Sequence, residues 1–193
     1  NKAALTKYEA VLDLDPLHPE AFAFVEDARR AARHYKELRE LLLRAARAAG
    51  APLESRKSQL REVASLSELQ LKDVDGAVSA YRQILSLDRS DDSARAALHR
   101  LLERNQRWDD LASLLEQEAM AAADPEAQIA LDKRLAELHE SKRDDKRGAA
   151  EALLRVLMHA PHDEDVLRHA IALLEDAGDF ARAILALNET LPA

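Results

Sequence analysis

Prolines at Pro16, Pro52, Pro125 and Pro161 divide the chain at intervals of 36, 73 and 36 residues. Inside the long interval, Arg89 of YRQILSLDR stands where the matching stretch YEAVLDLDP ends in Pro16. Proline cannot continue a helix interior, because it lacks the N–H and its ring meets the preceding turn. A stop written about every 36 residues therefore predicts a modular chain rather than one catalytic core. Pro19 and Pro192 lie off this grid and read as ordinary helix-edge residues.

A double period accompanies the single one. Shifting the sequence by 72 lays Val63, Ala64, Glu68, Asp73, Gly76, Ala77 and Leu85 on Leu135, Ala136, Glu140, Asp145, Gly148, Ala149 and Leu157. It also lays Leu101, Leu102, Glu103 and Trp108 on Leu173, Leu174, Glu175 and Phe180, and a shift of 73 brings Tyr8 to Tyr81 and Tyr35 to Trp108. Two kinds of unit alternate. Apolar residues recur at spacings of three and four, and the breaks fall on Gly, Pro and Asp clusters. This predicts eleven helices, at 2–14, 19–33, 35–49, 53–71, 74–87, 91–105, 107–122, 126–142, 146–159, 163–176 and 179–190. Grouped by the prolines, the units run 1–16 (partial), 17–52, 53–89, 90–125, 126–161 and 162–193, a single array over 1–193. The chain starts at Asn1 inside a helical pattern, which predicts that it is a segment of a longer protein.

The spacing of GAVSAYRQILSLDR and GAAEALLRVLMHAP resembles the second helix of a tetratricopeptide repeat. Small Ala77 and Ala149, large Tyr81 and Leu153, then Ile84 and Val156, lead to Arg89 and Pro161. Trp108 with Leu111 and Leu115, Phe180 with Ala183 and Leu187, and Tyr35 with Leu38 and Leu42 fit the same helix in the other kind of unit. In the first helix the chain departs from the family pattern, with Val63-Ala64 and Leu135-Ala136 where a Leu-Gly pair is usual. The resemblance covers the whole chain and implies an all-α, right-handed superhelical solenoid of about five hairpins. It also implies a non-enzymatic scaffold that holds a protein or peptide partner in a concave groove. Stacking supports the same architecture, since a lone two-helix unit leaves an apolar face open. Tyr81 and Trp108 are expected to fill gaps between helices, so that Trp108→Ala would cost about 3–5 kcal/mol.

In the family the first helix of each pair lines the groove. That register implies Glu20, Ala23, Asp27 and Arg30; Ser58, Arg61, Ser65 and Glu68; Ser93, Ala96, Arg100 and Arg104; Lys133, Glu137 and Glu140; and Asp165, Arg168, Ala172 and Glu175. The peptide contacts taken from this set are Arg30, Arg61, Glu68, Arg100, Arg104, Lys133, Glu137, Arg168 and Glu175. No asparagine falls in the register, which disfavours the clamp that some family members use for acidic chaperone tails. A second expectation is a structural or homo-oligomeric assembly element, self-associating through the uncapped N-terminal helix with Leu5 and Tyr8.

Charge and composition bear on what else the chain can do. The formal charge is −8, divided as 13 basic and 11 acidic residues over 1–72 and 15 basic and 25 acidic over 73–193. That balance argues against nucleic acid as a partner, since phosphate binding depends on clustered cations. The run Arg29, Arg30, Arg33, His34, Lys36, Arg39, Arg44 and Arg47 is the strongest basic stretch, but Glu26, Asp27, Glu37 and Glu40 interleave with it as a solvated, paired face would require. With no Cys, thiolate metal sites and thiol nucleophiles are excluded. His159 and His162 flank Pro161 rather than sharing a helical face, and His162-Asp163-Glu164-Asp165 reads as the acidic first turn of a helix. No glycine-rich phosphate loop or converging catalytic constellation is written, so no enzyme, cofactor or metal is expected. No signal peptide or 20-residue apolar span is present, which predicts a soluble, cytoplasmic chain with no membrane partner.

Overall fold

The structure, a computed structural model, describes residues 2–190. Pro192 lies outside them. Among the described residues there are eleven α-helices and no strand: α1 (Lys2–Leu14), α2 (Pro19–Ala31), α3 (Tyr35–Arg47), α4 (Leu53–Ser65), α5 (Val74–Leu87), α6 (Asp92–Arg104), α7 (Trp108–Ala121), α8 (Pro125–Leu138), α9 (Lys146–His159), α10 (Glu164–Asp176) and α11 (Phe180–Thr190). The grid prolines stop or start helices as expected: Pro16 and Pro161 lie in turns, Pro52 precedes α4, and Pro125 is the first residue of α8. Arg89 sits in the turn between α5 and α6 without needing a proline.

The chain divides into two compact units, Asn1–Asn105 and Gln106–Ala193. Each is all-α and solenoid-like, every helix packing on its neighbours in the chain: α1 to α6 in the first unit and α7 to α11 in the second. The first core gathers Leu12, Val25, Leu38, Leu42, Val63 and Ala80. In the second unit Leu115, Leu135, Val156 and Leu174 are wholly buried. Alanines Ala77, Ala80, Ala149 and Ala152 are buried to the same degree, which lets adjacent helices approach closely. Tyr81 and Trp108 are only partly buried, and Lys142 Nζ lies 5.8 Å from the centre of the Trp108 ring. The cost of Trp108→Ala accordingly falls below the fully buried value, to about 1–3 kcal/mol.

Aspartates start most of these helices. Asp73, Asp91, Asp145 and Asp163 each accept a hydrogen bond from the backbone N–H three residues on, at 2.8, 2.9, 2.9 and 3.1 Å. Each satisfies a donor that the first turn leaves free. The His162-Asp163 stretch is thus a helix start, as its position predicted.

The helix expected over 53–71 ends differently from its plan. Beyond Ser65 the chain continues as a π-helical segment, Leu66–Leu71, and the same happens at His139–Arg143 beyond α8. Both segments close on a left-handed residue, Lys72 with φ 56° and Asp144 with φ 51°. In both, one carbonyl accepts twice: Ser67 O from Lys72 and Asp73, and His139 O from Asp144 and Asp145. The alternating turns form a second equivalent set, with Arg33, Gln106 and Gly178 at φ 57°, 55° and 73°. The double period seen in the side chains is therefore also a period in the backbone.

Candidate functional site

The predicted groove residues separate into three groups. On α2, Arg30 binds Glu26 at 2.7 Å and Glu62 of α4. Its neighbours in the basic run are engaged too: Arg29 with Glu9 at 2.8 Å, Arg39 with Asp73, and Arg44 with Asp13 at 2.7 Å. Only the Arg30–Glu26 pair is local to one helix. These cations tie helices together across the first unit and do not form a free basic face.

The second group surrounds Tyr81 on α5. Arg104 Nη2 donates to Glu68 Oε1 at 2.5 Å, and Arg61 Nη2 donates to Asp91 Oδ2 at 2.5 Å. Arg100 is exposed and donates to the Ala96 carbonyl of its own helix at 3.3 Å. Burial raises the Tyr81 hydroxyl above its ordinary value, with Glu68 adding to the rise and Arg100 and Arg61 opposing it. Behind this group lies a polar core that sequence reading missed. Lys57, its side chain 8% exposed, reaches Asp88 at 2.6 Å and Asp91 at 3.1 Å. The Asp88 carboxyl is held down to about 2 by the Lys57 ammonium and then by the Ser90 hydroxyl and N–H, while Asp88 and then Asp91 raise Lys57. Because these charges satisfy one another, this group is a structural clasp between α4 and the α5–α6 turn.

The third group forms an open concavity in the second unit. A groove of about 690 Å³ is lined by Lys133, Ala136, Glu137, Glu140, Ser141, Leu153, Asp165, Val166 and His169. That volume is in the range of small-ligand and side-chain sites. Ala136, Leu153 and Val166 are all buried, giving an apolar floor. Glu137, Glu140 and Asp165 make the rim acidic. Lys133 leans on Asp163 at 3.5 Å, and His169 Nε2 lies 3.1 Å from Glu140 Oε2. Among the predicted contacts, Lys133 and Glu137 line this groove. Arg168 pairs with Asp165 at 2.9 Å, and exposed Glu175 does not line it.

Leu153, Val166 and His169 were not singled out as site residues by the sequence. Leu153 had a signal, because it aligns with Tyr81 under the shift of 72 and is the smaller side chain. His169 had none. Glu140 lies within the second π-helical segment, as Glu68 lies within the first, so the altered helix ends place an equivalent carboxylate in each unit. His139, one residue earlier, is buried. Its ring nitrogen Nδ1 is 3.0 Å from Asp145 and 2.9 Å from Arg143, and burial, with Arg143, lowers its proton affinity. It supports the segment and does not line the groove.

Among the described residues no group of three or more His, Asp or Glu is arranged to hold a metal, and no helix is long and apolar enough to cross a membrane. No family model matches the chain, and no curated protein matches it. Among solved structures, the crystal structure of BtubC (BKLC) from P. vanneervenii aligns over 98% of this chain and 86% of its own, at 16% identity and a TM-score of 0.37. A likeness at that level carries no argument about function.

Proposed function

We propose that the chain is a non-enzymatic protein-interaction scaffold built from tetratricopeptide-like hairpins, and that its second unit holds a segment of a partner protein in the α8–α10 groove. The observation that carries this reading is the groove itself: an apolar floor of Ala136, Leu153 and Val166 beneath a charged rim, open to solvent. An apolar floor gains from covering, while the rim fixes orientation through charge-assisted hydrogen bonds.

Random peptides displayed on phage and selected on the purified chain test the reading. Selected peptides are expected to lose at least tenfold in affinity on Leu153→Tyr, which places a ring where the first unit has Tyr81. Binding that ignores Leu153→Tyr removes the groove from the account.

Self-association is the second reading, and one observation favours it at a different place from the one expected. Leu5, Tyr8 and Val11 of α1 are partly buried against the core, and Tyr8 stacks on Phe24 at 4.5 Å and donates to Glu20 at 3.0 Å. On α11, by contrast, Phe180, Ile184 and Leu185 are each more than half exposed. If the chain assembles with itself, concentration-dependent sedimentation should respond to Ile184→Glu and not to Leu5→Glu.

A further inference from the structure

We propose that the groove of the second unit is specific for a partner segment carrying an arginine or lysine beside an aliphatic residue, with Glu140 as the principal counter-ion. This rests on the reading of the groove as a docking site and names the chemistry of its occupant.

The first unit contains the internal precedent. There the carboxylate of the π-helical segment, Glu68, already receives a guanidinium, Arg104 Nη2 at 2.5 Å, and the large, partly buried ring of Tyr81 packs on the core beside this pair. A shift of 72 carries Glu68 onto Glu140, Tyr81 onto Leu153, Arg100 onto Ala172 and Arg104 onto Asp176. The second unit thus keeps the carboxylate, the backbone turn that places it and, in Lys133 at the position of Arg61, one cation, but has lost the ring and the two arginines of α6. Asp176 turns instead to Lys146, 2.9 Å away. The groove lies where the ring is missing, between Glu140 and Leu153, and Glu140 there meets His169 in place of an arginine.

The surrounding charge agrees. Glu137 makes no ion pair among the described residues, Asp165 adds a second carboxylate that Arg168 meets at 2.9 Å, and Lys133 is drawn toward Asp163. An acidic peptide or a phosphate backbone would bring negative charge against three carboxylates, whereas a guanidinium can take Glu140 bidentately as its aliphatic neighbour covers Leu153 and Val166. His169, seated on Glu140, is the group such a cation displaces.

Three pools of fluorescent octapeptides with random flanks and a fixed central pair, Leu-Arg, Leu-Gln or Leu-Glu, measure this by polarisation against the intact chain. The Leu-Arg pool is expected to bind at least tenfold more tightly than the other two and to shift the Leu153 and Val166 methyl resonances. Glu140→Gln should remove that advantage, and the matching Glu68→Gln in the first unit should leave it unchanged. Asp176→Arg, which restores the missing internal arginine, should compete with the peptide and weaken it severalfold, with thermal melts confirming that each variant is folded. Equal binding of the Leu-Gln pool, or indifference to both Glu140→Gln and Asp176→Arg, overturns the proposal. Peptides that still enter the groove without regard to charge leave the docking reading intact and remove only this specificity; if no pool and no selected peptide responds to Leu153→Tyr, the docking reading falls with it.

Discussion

The groove regions of the two units share a backbone plan and differ in what fills it. Around Tyr81 the first unit satisfies its own charges: Glu68 with Arg104, Asp91 with Arg61 and Lys57, Asp88 with Lys57. Around Leu153 the second unit leaves a concavity of about 690 Å³ with an acidic rim. The positions matching Lys57 and Asp88 are Ile129 and Ala160, so the clasp is absent there. The difference teaches that in a repeat array a concavity can arise by subtraction. Replacing a ring and two arginines at a self-satisfied position leaves a concavity beside a carboxylate without altering the helices that carry them.

The comparison supposes that both units stand on equivalent cores. Leu135 is fully buried where the first unit has Val63, so Leu135→Ala should cost about 2–5 kcal/mol in urea unfolding, and Val63→Ala, which leaves a smaller void, should cost less. Equal losses would break the equivalence. A sharper difference is expected at the paired glycines. A Cβ on Gly148 would meet the buried ring of His139 at 2.6 Å as well as the Asp145 cap, whereas one on Gly76 meets the Asp73 cap at 2.6 Å and the tip of Arg39 at 3.2 Å. Gly148→Ala should lose about 1–2 kcal/mol despite the better helix propensity of alanine, with Gly76→Ala nearer to neutral.

Acid should also distinguish the units. Asp88 titrates at about 2 in the folded chain, below its ordinary value, so its contribution is complete above roughly pH 4 and is lost as pH falls toward 2. Lys57 is shifted upward, so its contribution holds below its ordinary value and is lost at higher pH. Urea midpoints between pH 2 and 5 should fall more steeply for the native chain than for Asp88→Asn. The smallest effect concerns the left-handed turns. Gln106→Gly, which copies Gly178 at the matching position, should stabilise by about 0.5–1 kcal/mol in the same assay, because glycine adopts positive φ without a steric penalty.

Much of the helical plan was legible because it is local. Proline, glycine and aspartate punctuate the chain through their own backbone chemistry, and every expected helix is present, with α4 and α8 giving way to π-helical turns before their expected ends. The π-helical ends were not legible: LSELQL and HESKR are ordinary helix-forming stretches, and the burial of Ser67 and His139 within them is set by packing that no local rule states. The basic run shows the same limit. Its interleaved glutamates suggested pairs within one helix, but Arg29, Arg39 and Arg44 reach carboxylates 20 to 34 residues away, which only packing brings near.

The sequence by itself determined the all-α class, the alternation of two kinds of unit and the places where helices stop, since these follow from spacing and backbone propensity. Tertiary structure decided which of the predicted groove residues meet. Lys133 and Glu137 join Glu140, Leu153 and Val166 around one concavity, while Arg30, Arg61 and Arg104 are taken by carboxylates of neighbouring helices. A side chain's register states the face on which it starts. Whether it is free or spent depends on the charge and volume that packing sets against it.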